Sequence, residues 1–96
     1  MHGYSEGSGQ GVWGEIADAA KSQSAVLGTT EGTGAAIEGN SILGRGGLFN
    51  GKKAQIRLVA SSATNKPSTG TRGDLFVDAS GRLWYCKTSG SATGWK

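Results

Sequence analysis

Large apolar residues return along the first half of the chain in one short pattern, an aliphatic or aromatic residue, any residue, then glycine. Val12-Trp13-Gly14, Val26-Leu27-Gly28, Ile37-Glu38-Gly39, Ile42-Leu43-Gly44 and Phe49-Asn50-Gly51 all fit it. Residues 3–14 align with residues 28–39, matching Gly3/Gly28, Glu6/Glu31, Gly7/Gly32, Gly9/Gly34, Val12/Ile37 and Gly14/Gly39, a period of 25. A recurring pattern of this kind marks stacked units, each too small to bury its apolar face alone. The spacing predicts strands of three to five residues joined by glycine turns, with glycine supplying positive φ and close backbone approach. Residues 15–24 interrupt the ladder with helix-friendly residues over two to three turns at most, and read as an insertion loop with one helical turn. Gly44-Arg45-Gly46-Gly47 reads as a corner.

The texture changes after Gly51. Residues 53–60 alternate, with Ile56, Leu58 and Ala60 on one side and Gln55, Arg57 and Val59 on the other, which predicts a strand. Residues 61–72 hold the single proline, Pro67, among small polar residues, and predict a loop. Residues 74–87 predict a hairpin, with Leu75-Phe76-Val77 and Leu83-Trp84-Tyr85-Cys86 as its arms. Asp78-Ala79-Ser80-Gly81 closes it, Asp78 bracing the turn and Gly81 taking the left-handed position. Trp95 is expected to pack back on the hairpin as a third, truncated strand. The division is thus a glycine-rich shaft over 1–51 and a C-terminal β module over 52–96.

Composition sharpens this picture. Of 18 glycines, 13 lie between Gly3 and Gly51, while 35% of residues are apolar and 18% charged. One proline and few charges argue against a disordered chain. The ladder's apolar side chains are too few to offset, in one copy, the entropy of ordering it, so self-association is expected. The net charge of +3 comes from scattered cations with one adjacent pair, Lys52-Lys53. Nucleic-acid binders carry a denser stripe, and nucleic acid is not an expected partner. Lys52, Lys53, Arg57 and Arg72 leave a weak polyanion-binding reading open. The lone cysteine, Cys86, falls in a strand pattern and reads as a buried thiol. No run reaches the length of a membrane helix.

Catalytic chemistry finds little to work with. The one histidine, His2, lies in a leading pair that reads as a start or cloning remnant. Asp74 and Asp78, at opposite ends of one arm, would stand about 13 Å apart at strand rise, beyond the ~5–9.5 Å of a glycosidase pair. They are expected to brace turns in contact with solvent. Glu6 and Glu31 recur at equivalent positions and read as exposed turn residues, with cation binding across copies as the alternative. No zinc set exists within one chain, and Gly7-Ser8-Gly9 and Gly32-Thr33-Gly34 lack the lysine and helix of a phosphate loop. Neither enzyme activity nor a cofactor is expected. Trp84 and Tyr85 must point to opposite faces of the hairpin. Arg82, Trp84, Tyr85 and Trp95 are the candidate contacts for a glycan or receptor.

The ladder Gly9-Gln10-Gly11-Val12-Trp13-Gly14 resembles repeats of bacterial secreted and surface proteins and of phage tail-fibre and spike proteins. The segments 46–59, 73–86 and 94–96 are similar to the C-terminal module that follows such ladders. The resemblance implies an all-β fold: an intertwined trimeric β-helix or β-prism fibre segment followed by a small antiparallel hairpin module. It implies a homotrimer whose core is Val12, Trp13, Val26, Ile37, Ile42 and Phe49, with Ile56 and Leu58 as the seam to the hairpin. It further implies an extracellular, cell-surface or virion location. The chain starts inside a repeat and stops at Trp95-Lys96, as strand character resumes, and is expected to be a C-terminal piece of a longer protein. Two functions follow, a structural fibre segment or a receptor- or glycan-binding tip.

Overall fold

The computed structural model describes residues 3–96, so the readings attached to Met1 and His2 lie outside the described residues. The chain divides into two compact units, Met1–Gly47 and Leu48–Lys96. It is mostly non-helical, and its few short strands are antiparallel.

The described residues of the first unit contain neither helix nor strand. The expected ladder strands are therefore not formed within one chain: a strand needs a neighbour that exchanges hydrogen bonds with its peptide groups, and segments of this unit approach one another without such a ladder. Local side-chain bonds shape the loops instead. Asp18 accepts the Ala20 N–H on Oδ1 at 2.9 Å and the Lys21 N–H on its carbonyl at 3.1 Å, so the 15–24 insertion holds a turn and no helix. Thr30 Oγ1 takes the Gly32 N–H at 3.2 Å, and Ser41 Oγ takes the Gly44 N–H at 3.0 Å.

The second unit holds all the strands of the described residues. β1 (Thr69–Gly70) pairs with β4 (Gly90–Ser91), and β2 (Leu75–Val77) pairs with β3 (Leu83–Tyr85), both antiparallel. Across β2 and β3 the register sets Leu75 opposite Tyr85, Phe76 opposite Trp84 and Val77 opposite Leu83. The connecting loop closes through Asp78 N–H to Arg82 O at 3.1 Å and Gly81 N–H to Asp78 O at 2.9 Å, with Gly81 at φ +86°. That φ is one an L side chain rarely adopts. A 3-10 turn over Ala92–Gly94 then swings the chain back along β3. Lys96 and Tyr85 exchange backbone hydrogen bonds at 2.9 and 3.0 Å, and Cys86 pairs with Trp95 in an isolated β-bridge, so the chain end returns to the hairpin as expected but stops short of a third strand.

Residues 53–60 form no strand, contrary to their alternation. Ile56 and Leu58 are exposed and do not seal the hairpin. The chain is instead tied to the hairpin just downstream: Ser61 N–H donates to Val77 O at 2.8 Å, and Ala79 N–H to Ala63 O at 2.7 Å.

The core of this unit is small: Cys86, Trp95 and Asp78 are buried, together with Gly94. Trp95 lies on Gly70, where an added Cβ would come within 2.6 Å of its ring, and meets Phe76 edge-on with ring centroids 6.1 Å apart. Its Nε1–H reaches Thr69 O at 3.4 Å. The free thiol of Cys86 donates to Thr88 O at 3.4 Å.

Candidate functional site

The ladder glycines do different work from that expected of them. Among the described residues, positive φ occurs only at Gly73, Gly81 and Gly90, all in the second unit. Several ladder glycines serve close approach, whereas Gly7 and Gly34 have open space where a Cβ would stand. An added Cβ at Gly14 would lie 2.6 Å from Val26 Cγ2, and one at Gly28 would lie 2.8 Å from Ile37 Cγ1 and 2.9 Å from Ala36 O. At Gly3 the same Cβ would strike Val12 Cγ2 and Gly11 O. Three successive loops thus close in one way, the β-branched residue of each rung seated on the glycine that opened the loop. Position 11, 25 or 36, just before that residue, is Gly or Ala in each case. This small residue is a signal the triplet reading overlooks, for its carbonyl is what the glycine backbone meets or nearly meets. Ile42 and Phe49 do not share the arrangement: Gly39 meets Gly46 O, and Gly51 meets Ala54 O.

Seating on a glycine covers only one side of each rung. Val12, Trp13, Val26, Ile37, Ile42, Phe49, Ile56 and Leu58 are all exposed in the single chain, Ile42 to 96% and its neighbour Leu43 to 99%. The backbone is equally open. Between residues 5 and 60 a single backbone–backbone hydrogen bond, Lys21 N–H to Asp18 O, is formed. Folded chains carry about one hydrogen bond per residue, two-thirds of them between backbone groups. Most peptide groups of this stretch are therefore available to water or to another chain.

In the second unit the hairpin sorts its aromatic residues by face. Trp84 shares the inner face with Phe76, and its ring is met by two cations, Lys66 Nζ at 4.6 Å and Arg82 Cζ at 5.3 Å from the centroid. Tyr85 lies on the outer face with Leu75 and Leu83, all three exposed. Trp95 is 3% exposed and belongs to the core, which removes it from the set of ligand contacts. Its lost exposure follows from Gly70, whose missing side chain makes room for the indole. The four candidate contacts are thus not gathered into one platform. Arg82 and Trp84 meet each other, Tyr85 faces away, and Trp95 lies beneath β1.

Asp78 was expected in contact with solvent and is 2% exposed. Its Oδ1 accepts the Ser80 N–H at 3.0 Å, the Ser80 hydroxyl at 2.7 Å and the Arg82 N–H at 3.0 Å, while Oδ2 accepts the Trp84 Nε1–H at 3.0 Å. The Ser80 hydroxyl and then the Trp84 indole hold its carboxyl well below the ordinary 3.8, helped by the backbone N–H groups of Arg82 and Ser80 and opposed by desolvation. A carboxylate depressed in the folded state contributes stability above its unfolded pKa and loses it as pH falls toward the folded one. The module should therefore weaken progressively as pH drops below about 4. Acid titration of tryptophan fluorescence checks this, and Asp78→Asn should flatten the dependence. Unchanged acid sensitivity in that variant would remove Asp78 as its source.

Asp74 Oδ2 accepts the Thr71 N–H at 2.9 Å and lines an open groove with the hydroxyl residues Ser68, Thr69, Thr71 and Ser91. None of the candidate aromatic contacts lines it. Glu6 accepts the Tyr4 hydroxyl at 2.9 Å, and no group of three His, Cys, Asp or Glu suited to a metal ion occurs among the described residues. Lys52, Lys53, Arg57 and Arg72 are exposed, and no contact among the described residues draws them together. No helix among them is long and apolar enough to cross a membrane. No family model, curated protein or solved structure matches this chain.

Proposed function

We propose that the protein is a non-enzymatic structural element, a segment of a homotrimeric fibre or surface projection. The observation that carries this reading is the open backbone of residues 5–60, with one internal backbone hydrogen bond and its rung residues exposed. Peptide groups and apolar side chains left open along one path are what neighbouring chains complete in a shared β core. A small-molecule site would instead be concave and enclosed, and a polyanion site would cluster its cations. In this reading copies wrap one axis as a β-helix or β-prism, the rungs turn inward, and the C-terminal module ends the shaft. The location that suits such a part is a cell surface or a virion.

Light scattering on the purified chain tests the proposal directly. The expected mass is three times the 9.8 kDa of one chain, with a strand signal in circular dichroism beyond that of the hairpin module. A stable mass of 9.8 kDa at tens of micromolar concentration would overturn it.

A further inference from the structure

The chain has three asparagines, Asn40, Asn50 and Asn65, and their surroundings differ in a way that bears on covalent chemistry. An asparagine amide is lost when the backbone nitrogen of the next residue attacks its Cγ. The reaction needs that nitrogen unhindered, free to shed its proton, and able to swing toward the side chain. Lys66 N–H, after Asn65, is donated to Asn65 Oδ1 at 2.8 Å, and the Lys66 side chain is held over the Trp84 ring. Ser41, after Asn40, carries a Cβ and fixes its own turn by accepting the Gly44 N–H. Asn50 differs from both in the residue that follows it. It is exposed, lies outside any strand or helix, and makes no side-chain hydrogen bond. The residue after it is Gly51, without a Cβ and with no backbone hydrogen bond on its N–H. Lys52 and Lys53 follow at once, and their positive charge favours the deprotonated nitrogen and the oxyanion that forms on Cγ.

We infer that Asn50 is a site of spontaneous deamidation that converts the Phe49-Asn50-Gly51 rung into an aspartyl or isoaspartyl linkage. The deprotonated Gly51 nitrogen attacks Asn50 Cγ, a new N–Cγ bond forms, and the Cγ–Nδ2 bond breaks as ammonia departs. The resulting five-membered imide is opened by water at either carbonyl. Attack at Cγ restores the normal chain as aspartate, while attack at the Asn50 backbone carbonyl routes the chain through the side chain and adds one methylene to it. The net change is one water consumed and one ammonia released, with no oxidant or metal needed. Each event adds one negative charge beside Lys52-Lys53 and lowers the chain's net charge from +3 to +2. The inference is independent of the fibre reading, since it depends on local geometry alone.

Incubation of the full chain at mildly alkaline pH and 37 °C (a condition chosen for the test), followed by trypsin digestion and mass spectrometry, tests it. The peptide 46–52 should gain one mass unit and split into two chromatographic species. Its conversion should run about tenfold or more ahead of peptides 22–45 and 58–72, which hold Asn40 and Asn65, a barrier lower by about 1.4 kcal/mol. Asn50→Gln should abolish the change in 46–52, at an exposed position outside any strand or helix. Conversion of 22–45 or 58–72 ahead of 46–52 would overturn the inference. So would a 46–52 mass that drifts no faster than in the Asn50→Gln protein.

Discussion

If the proposed trimer is formed, aspartate in place of Val12 or Ile37 should return it to single chains of 9.8 kDa in light scattering. Each side chain is seated on a glycine of its own chain, Gly3 or Gly28, and otherwise exposed. In the proposed threefold assembly three copies of the residue would meet near the axis. Burying a valine or isoleucine contributes about 1.5–3 kcal/mol per side chain, and each substitution removes three of them at once. It also brings three carboxylates together in a poorly solvated place, where each charge is costly to hold. The hairpin module should be untouched, so its tryptophan emission and its melting serve as an internal control. Ile42→Asp is a useful contrast: Ile42 is seated on no glycine of its own loop, so its loss perturbs the single chain least. If Val12→Asp and Ile37→Asp leave both mass and melting unchanged, these positions are not core.

The hairpin was legible in the sequence because its signals are local. Alternation over 75–77 and 83–86, an aspartate at the first loop position and a glycine at the fourth define a two-stranded turn with little reference to the rest of the chain. The return of Trp95 to the hairpin was legible for the same reason, from a single aromatic after a short turn. Which hairpin face would be covered was not legible. Alternation says that Trp84 and Tyr85 part, and only the placement of Gly70, Trp95 and Lys66 decides that Trp84 goes inward. Asp78 shows the same limit. A loop aspartate reads as solvated until the count of donors converging on it is known, and here four converge. Residues 53–60 carry a correct strand period and no strand, because periodicity defines a face and leaves the neighbour undefined. The ladder glycines show a further gap. Spacing identified them, but a glycine needed for positive φ and one needed for close approach look alike in sequence. A small residue before the β-branched residue marks three of the close approaches, at Gly3, Gly14 and Gly28.

Trp95→Ala should unfold the C-terminal module in water or leave it close to its midpoint. The indole fills most of a core that otherwise consists of Cys86, Gly94 and the Asp78 carboxylate, and truncating a buried tryptophan costs about 3–5 kcal/mol. A module of this size has a small margin, because little apolar surface is buried on folding. The loss should spread along two routes. β1 loses the ring that supports Gly70 and the Nε1–H donated to Thr69 O, and β3 loses the cover supplied by 94–96. Trp84 remains as the reporter, with its two cations and its bond to Asp78. Urea titration followed through Trp84 emission should show the midpoint falling sharply or the folded baseline disappearing. Gly70→Val should have a similar effect from the opposite side, since its side chain would occupy the space of the indole. The two substitutions together should cost less than their sum, because both disrupt the same contact and the valine can occupy the space that the indole leaves. Strict additivity would mean that Gly70 and Trp95 stabilise the module separately, and that the indole seated on the glycine is not the centre of its core.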